Sequence, residues 1–380
     1  MPKPIYLNYN ATTPVHPEVV EAMLPYLTEH FGNPSSAHWY GEQARKAVEM
    51  ARAQVAALLR CGPDEIVFTS GGSEANNAAV KGAAWLRRAE GRHLVTSSIE
   101  HPAILEVCAS LESQGFEITQ VPVANDGMLD PRDVAASARP GTILITLMLA
   151  NNEVGTIQPI AEIAALARER SILVHTDAAQ AVGKIPVDVR RLGVDLLSIA
   201  GHKLYAPKGV GALYVRRGVA LPKFIHGANH ERNLRAGTEN VAGIVGLGMA
   251  CEVAGRDLEA EGRRLAALRD RLEAGLLALD IPCRVNGNRA RRLPNTLSIS
   301  FQGLLANAII TDLDGVACSA GAACHSGEVA ISQVLRAMRV PPDYAMGTIR
   351  LSLGRMTTED EVEQSIEAIL RTVGRLRAPV

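Results

Sequence analysis

Apolar residues recur at helical spacing over Pro17–Phe31 and Gly41–Leu59, after which the period changes. Glu65–Thr69 is a short β-branched run that feeds the small-residue turn S-G-G-S. Continuous apolar runs follow at His93–Ser97, Thr142–Ala150, Ile172–Thr176, Asp195–Ile199 and Gly211–Val215, several trailed by helical segments such as Pro159–Arg170. Strands that are apolar on both faces, alternating with amphipathic helices, predict a mainly parallel sheet covered on both sides, an open α/β fold.

From about Ile244 the pattern becomes one long charged helix, running through E-A-E-G-R-R-L-A-A-L-R-D-R-L-E-A-G-L-L-A-L. Strand-like N-T-L-S-I-S-F and T-I-R-L-S-L come next, and an amphipathic helix from about Thr358 to Leu376 ends the pattern. A tail with its own sheet and helices predicts a second domain, joined to the first through the long helix. The chain carries no internal repeat, no low-complexity tract and no flexible linker.

Composition narrows the partners. A chain of 380 residues with 47% hydrophobic and 21% charged residues is ordinary globular material, which excludes intrinsic disorder. Lysine and arginine number 39 against 40 for aspartate and glutamate, so no global attraction draws nucleic acid or an anionic membrane. The expected partners are small molecules and proteins. The start, M-P-K-P-I-Y-L-N-Y-N, lacks a long apolar core, and no stretch approaches the ~20 apolar residues of a membrane span, so the chain reads as cytoplasmic. Cys61, Cys108, Cys251, Cys283, Cys318 and Cys324 are scattered without C-x-x-C spacing, against a disulfide scaffold or a zinc ribbon. No metal site is expected.

In an open parallel sheet, ligands bind at the carboxyl ends of the strands, and four positions there carry chemistry. Ser70-Gly71-Gly72-Ser73-Glu74 is either a plain strand-to-helix turn or a helix N-terminus whose free N–H groups take a phosphate. Asp177, in H-T-D-A-A-Q with Gln180 three residues on, is either a helix N-cap or the carboxylate that keeps a heterocyclic nitrogen protonated. Lys203, in A-G-H-K-L-Y-A-P-K-G, is either a solvated loop lysine or an amine of depressed pKa suited to Schiff-base chemistry. His101, in S-S-I-E-H-P-A, is either structural or catalytic. Together, a phosphate turn, a strand-end histidine, Asp-x-x-Gln and His-Lys 25 residues beyond the aspartate match the requirements of pyridoxal 5'-phosphate.

Ten strings, L-N-Y-N-A-T-T-P, F-G-N-P-S-S, F-T-S-G-G-S-E-A-N-N, S-I-E-H, N-N-E-V-G, H-T-D-A-A-Q, G-H-K-L-Y-A-P-K-G, R-A-G-T-E-N, S-A-G-A-A-C-H-S and I-R-L-S-L-G-R, occur in order along the whole chain. In these the sequence resembles the NifS/IscS-type cysteine desulfurases of the class V aminotransferase fold. The resemblance implies a PLP-dependent transferase fold (fold type I, the aspartate aminotransferase fold). Its large domain, 12–255, would bind the cofactor, and a small α/β domain made of 1–11 and 256–380 would carry a catalytic-cysteine loop. It implies that Lys203 forms the internal aldimine, that His101 stacks on the pyridine ring, that Asp177 pairs with the ring nitrogen and that Gln180 meets the phenolic oxygen. Gly72, Ser73 and His202 would bind the phosphate with Thr238, which in this family reaches over from the second subunit of a homodimer. Asn152 and Arg350 match the positions that hold the substrate carboxylate, a bidentate task that suits a planar guanidinium. Cys324 matches the nucleophile, and Cys318 has no such match.

The implied reaction converts L-cysteine to L-alanine, with sulfur passing as a Cys324 persulfide to an acceptor such as an iron–sulfur scaffold protein or a sulfur carrier. Two features depart from the family pattern. Ala200 stands where many desulfurases have a serine, and Gly227–Glu231 reads G-A-N-H-E in place of a glycine-rich G-G-G-x-E. A-A-C-H-S and T-L-M-L-A-N-N-E look closer to animal selenocysteine lyases, which makes L-selenocysteine the alternative substrate. An aminotransferase or epimerase on the same scaffold would leave Cys324 without a purpose. A non-catalytic, protein-binding relative is disfavoured because the other cofactor positions are all filled.

Overall fold

The computed structural model describes residues 3–278, 281–320, 323–325 and 328–377, with backbone alone for 323–325 and 328–330. After a short β1 (Ile5–Tyr6), seven strands form the main sheet: β2 (Ile66–Thr69), β3 (His93–Ser97), β4 (Glu117–Val121), β5 (Thr142–Met148), β6 (Leu173–Asp177), β7 (Leu196–Ala200) and β8 (Gly211–Val215). Their order is β2-β8-β7-β6-β5-β3-β4, and β8 alone runs antiparallel to its neighbours. The expected mainly parallel sheet is therefore present.

Successive side chains on a strand point to opposite faces, and here both faces are apolar. Ile66 and Phe68 enter one core and Val67 the other; Ile145 and Leu144, and Leu197 and Leu196, divide the same way. The Trp39–Leu59, Ile160–Arg168 and Val241–Leu277 helices cover the first face, and Gly72–Arg87 with Pro102–Glu112 cover the second.

The long helix spans Val241–Leu277 and breaks at Asp257, whose φ of −138° and ψ of 19° are non-helical. Its first part, through Cys251, belongs to the core of the main sheet, whereas Leu265, Leu268, Leu272 and Leu276 belong to a separate core. That second core lies on a four-stranded sheet built from β9 (Cys283–Asn286), β10 (Thr296–Phe301), β12 (Ser319–Ala320) and β15 (Thr348–Ser352), in the antiparallel order β12-β15-β10-β9. The Glu359–Arg377 helix packs on it through Val362, Ile366, Ile369 and Val373. Leu7 joins this core, and β1 pairs in parallel with β11 (Val316–Ala317). Val334, Leu335 and Met338 turn back to the first core, so the chain's last third contributes to both. β13 (Ala323–His325) and β14 (Glu328–Ala330) pair antiparallel, with Cys324 opposite Val329.

Local chemistry shifts several boundaries. Pro25 divides the expected Pro17–Phe31 helix into Pro17–Met23 and Pro25–Thr28, because proline has no N–H to continue the ladder. The expected Gly41–Leu59 helix starts two residues earlier, at Trp39, where the His38 ring accepts the Gly41 N–H at 3.4 Å. No helix among the described residues is long and apolar enough to cross a membrane.

Candidate active site

The carboxyl ends of β5, β6 and β7 and the turns after β2 and β3 open on one cavity of about 410 Å³. Gly72, Ser73, His101, Asn152, Asp177, Gln180, His202, Lys203 and Arg350 all line it, joined by Asn10, Asn76 and Ala200, which had been given no role in the site. Eight of the nine come from the main-sheet side. Arg350 comes from β15 of the other sheet.

Asp177 is the last residue of β6, and both of its oxygens are engaged: Oδ2 accepts from Asn76 Nδ2 at 2.7 Å and Oδ1 from the Ala179 N–H at 2.9 Å. No helix starts at Asp177, so it is not a helix N-cap; its carboxylate braces a turn instead, and each oxygen keeps lone pairs free for a further partner. Lys203 follows β7 in the Gly201–Lys203 turn and donates from Nζ to the Asn10 carbonyl at 2.6 Å and the Ala11 carbonyl at 2.7 Å. Burial, helped by the Arg350 charge and opposed by Asp177, pushes its amine down to about 8. Near neutral pH an appreciable share of such a lysine is the free amine, the form that attacks a carbonyl carbon.

His101 caps the Pro102–Glu112 helix, its Nδ1 accepting the Ala103 N–H at 3.1 Å. Burial and Lys203 lower its proton affinity while Asp177 raises it, and the net is downward, toward the neutral ring. His202 touches Thr12 Oγ1 through Nδ1 at 3.2 Å and is pushed down to about 4, chiefly by burial with Lys203 and Lys208 adding to it. Gln180 donates from Nε2 to the Asn10 carbonyl at 3.0 Å and accepts at Oε1 from Lys184 Nζ at 2.8 Å. Arg350, 8% exposed, donates to the Asn152 carbonyl at 3.0 Å and to Asn8 Oδ1 at 2.8 Å, while its buried Nε has no partner. That orphaned donor suits an anionic ligand.

The same residues fit pyridoxal phosphate. The first N–H groups of the Gly72–Arg87 helix, on Gly72 and Ser73, have no acceptor among the described residues, as an anion-binding helix start requires. At Gly72 a Cβ would stand 3.1 Å from the Ala200 Cβ, so this turn lies tight against the end of β7. Among the described residues no cluster of His, Cys, Asp or Glu could hold a metal ion.

One expected residue is not brought to the cavity. Thr238 is exposed and does not line it. The side chain of Cys324 lies outside the described residues. Cys318 is half-buried, and its thiol is pushed up to about 12 by desolvation despite the Arg350 charge nearby, which makes it a poor nucleophile. In the divergent G-A-N-H-E string, Asn229 Oδ1 accepts from Lys223 Nζ at 3.1 Å and His230 Nδ1 from the Gly237 N–H at 3.2 Å, so both brace their own loop.

Asn10, Asn76, Glu100 and Lys184 are the supporting residues that motif reasoning missed. They stand inside or beside the recognised strings, but their contacts span up to 342 positions of sequence and leave no local pattern.

The class-V aminotransferase profile matches residues 5–364. The chain is 48% identical over 377 residues to the cysteine desulfurase IscS of Methanosarcina thermophila, covering 99% of this chain and 93% of the relative. It is 50% identical over 376 residues to a cysteine desulfurase of Trichormus azollae, covering 98% and 94%. Among solved structures, a NifS-like protein superposes with a TM-score of 0.92 at 37% identity, covering 98% of this chain and all of that one (100%). SspA in complex with cysteine superposes with a TM-score of 0.83 at 38% identity, covering 92% and 98%. The first three bear the names of cysteine desulfurases or a NifS-like protein and the fourth holds cysteine, which does not favour the selenocysteine lyase alternative. The cavity geometry and these likenesses agree over nearly the full length, and the chain belongs to the class V aminotransferases, among the NifS/IscS-type cysteine desulfurases.

Proposed function

We propose that the protein uses pyridoxal phosphate to convert L-cysteine to L-alanine and retains the sulfur as a persulfide on Cys324 for transfer to an acceptor protein. The observation that carries this is the convergence of Lys203, Asp177 and His101 with Asn152 and Arg350 in one cavity. Lys203 would hold the cofactor's aldehyde carbon, Asp177 its ring nitrogen, Gln180 its phenolic oxygen and His101 the face of its ring. Gly72, Ser73 and His202, with Thr238 of the partner subunit in a homodimer, would hold the phosphate. The bound cofactor supplies an electron sink for the substrate's α-carbon.

The chain's own residues do the rest. Arg350 and Asn152 bind the substrate carboxylate, and the Lys203 amine, with its proton affinity reduced, moves a proton at the α-carbon. The Cys324 thiolate attacks the substrate sulfur; an S–S bond forms as the C–S bond breaks, and the electron pair left on carbon takes up a proton. The sum is cysteine plus thiol giving alanine plus persulfide. The outer sulfur is then open to an acceptor thiol, on an iron–sulfur scaffold or a sulfur carrier.

The helix break at Asp257 and the placement of Leu7 in the second core support a division into 12–255 and 1–11 with 256–380. The near-neutral charge and the lack of an apolar span support a cytoplasmic enzyme.

The test is Cys324→Ala. This variant should bind L-cysteine at the cofactor, because Lys203, Asn152 and Arg350 are intact, yet release almost no alanine. Mass spectrometry of the parent after cysteine treatment should find the added sulfur on Cys324. Sulfur on Cys318, or a fully active Cys324→Ala, would overturn the assignment. Parallel alanine assays with L-cysteine and L-selenocysteine settle the substrate.

A further inference from the structure

Lys184 has no part in the reaction above, yet it sits against the site. It follows Gln180 by one helical turn's spacing, and its Nζ donates to Gln180 Oε1 at 2.8 Å and to Asn10 Oδ1 at 3.0 Å. No carboxylate lies within ion-pair distance of it among the described residues. Desolvation and the like charges of Lys203 and Arg350 hold its proton affinity well below that of a free lysine. An interior amine without a counter-ion is costly, so its partners are informative.

Both partners are amides with two possible orientations. A lysine nitrogen facing them as a donor and a backbone carbonyl that only accepts leave one choice for Gln180: Oε1 toward Lys184, Nε2 toward the Asn10 carbonyl. That same carbonyl oxygen receives Lys203 Nζ at 2.6 Å. Asn10 is fixed as firmly. Its Oδ1 also accepts from Asn295 Nδ2 at 3.1 Å, and its Nδ2 donates to Thr296 Oγ1 at 2.8 Å and to the Asn152 carbonyl at 3.1 Å. Arg350 grips that Asn152 carbonyl as well. A single buried amine thus touches both the residue assigned to the phenolic oxygen and the residue that links Lys203 to the substrate-binding pair.

We propose that Lys184 is a positioning residue that locks the Gln180 amide with its nitrogen toward the cofactor and steadies, through Asn10, the carbonyl on which Lys203 rests. This rests on the pyridoxal phosphate reading of the cavity. Removing Lys184 leaves Gln180 Oε1 without its donor, so the amide is held only by the Asn10 carbonyl, loses its fixed tilt and supports negative charge on the phenolic oxygen less well. The cofactor's bond to Lys203 then keeps its proton to higher pH.

The experiment is a pH titration of the visible absorption of the lysine-bound cofactor in the holoenzyme. The other charged or titratable groups facing Lys203, namely Asp177, Arg350, His101 and His202, are the same in every variant. Lys184→Met should raise the midpoint by about one unit, the size expected for losing one hydrogen bond that supports the charged form. Lys184→Gln, which keeps an N–H donor, gives a second reading if the methionine variant folds poorly, and Lys184→Arg should stay near the parent. In a Gln180→Ala background, Lys184→Met should shift the midpoint by less than half as much. An unchanged midpoint, or the same shift with and without Gln180, overturns the proposal. A parent with no lysine-bound chromophore would instead overturn the cofactor reading and this proposal with it.

Discussion

Asp177 is set in place by two hydrogen bonds that use neither its charge nor all of its lone pairs, from Asn76 and from the Ala179 N–H. An asparagine there would keep the turn but could not stabilise a protonated ring nitrogen. Asp177→Asn should therefore retain bound cofactor and lose alanine production by roughly 10²-fold or more, the scale of removing one preorganised electrostatic partner. Near-normal turnover would leave Asp177 as a turn residue only. Glu100 makes a second, independent prediction. It takes the Ser97 hydroxyl at 2.5 Å and the Met148 N–H at 3.0 Å on one oxygen, and its other oxygen is buried without a partner. Burial, with Asp177 adding to it, pushes the carboxyl from 4.5 up to about 8. Between those values the folded chain holds a proton that the unfolded chain has released, so this group's contribution to stability is full below the unfolded value and falls as pH rises. Glu100→Gln keeps the shape of the neutral acid and does not titrate. The stability of the parent relative to this variant should drop by up to about 1.4 kcal/mol per pH unit across that window, measured by urea unfolding. A pH-independent difference would mean that Glu100 is ionised in the fold.

Among the elements, His93–Ser97 and Gly211–Val215 have the boundaries expected from sequence because continuous β-branched and apolar runs buried on both faces have few competing readings. Glu117–Val121 was not expected. It is an edge strand, half exposed, and E-I-T-Q-V lacks the apolar run that marks the central ones. Most of the residues lining the cavity were legible because they follow strand ends in recognisable strings, whereas Asn10 and Lys184 act through contacts with distant parts of the chain. The segment around G-A-N-H-E was opaque for a further reason. Glu231, Arg232 and Asn233 take φ values of 45°, 52° and 69°, a left-handed run that non-glycine residues avoid. What holds it is the buried Glu231 carboxylate, which takes two bonds from Arg52, both at 2.8 Å, and the Phe68 N–H at 2.8 Å. Removing one partner of a buried ion pair costs about 3–5 kcal/mol. Glu231→Gln should lose stability on that scale in urea unfolding and should expose the segment leading to Thr238 to proteolysis at concentrations that leave the parent intact. An unchanged protein would place the anchor elsewhere.

At the scale of the whole molecule, the cavity is a joint product of two sheets. The main sheet delivers Asp177 and Lys203, β15 of the second delivers Arg350, and Asn10, next to the β1 strand, ties them together. One chain thus supplies every group assigned above to the cofactor and the substrate carboxylate except Thr238, which lies exposed and off the cavity wall. If Thr238 serves the phosphate of the partner subunit, a site lost through Lys203 and a site lost through Thr238 belong to different chains. Lys203→Ala removes the amine of its own site, and Thr238→Glu sets a carboxylate against the phosphate of the neighbouring one. Each variant alone should be inactive. When the two are mixed in equal amounts and allowed to exchange subunits, half the two-fold dimers are mixed. Each mixed dimer holds one site with both lesions and one with neither, so about a quarter of the parent activity should return. Recovery of cofactor absorbance in the same proportion should accompany it. If the sites are instead contained within single chains, every site in the mixture still carries a lesion and no activity returns.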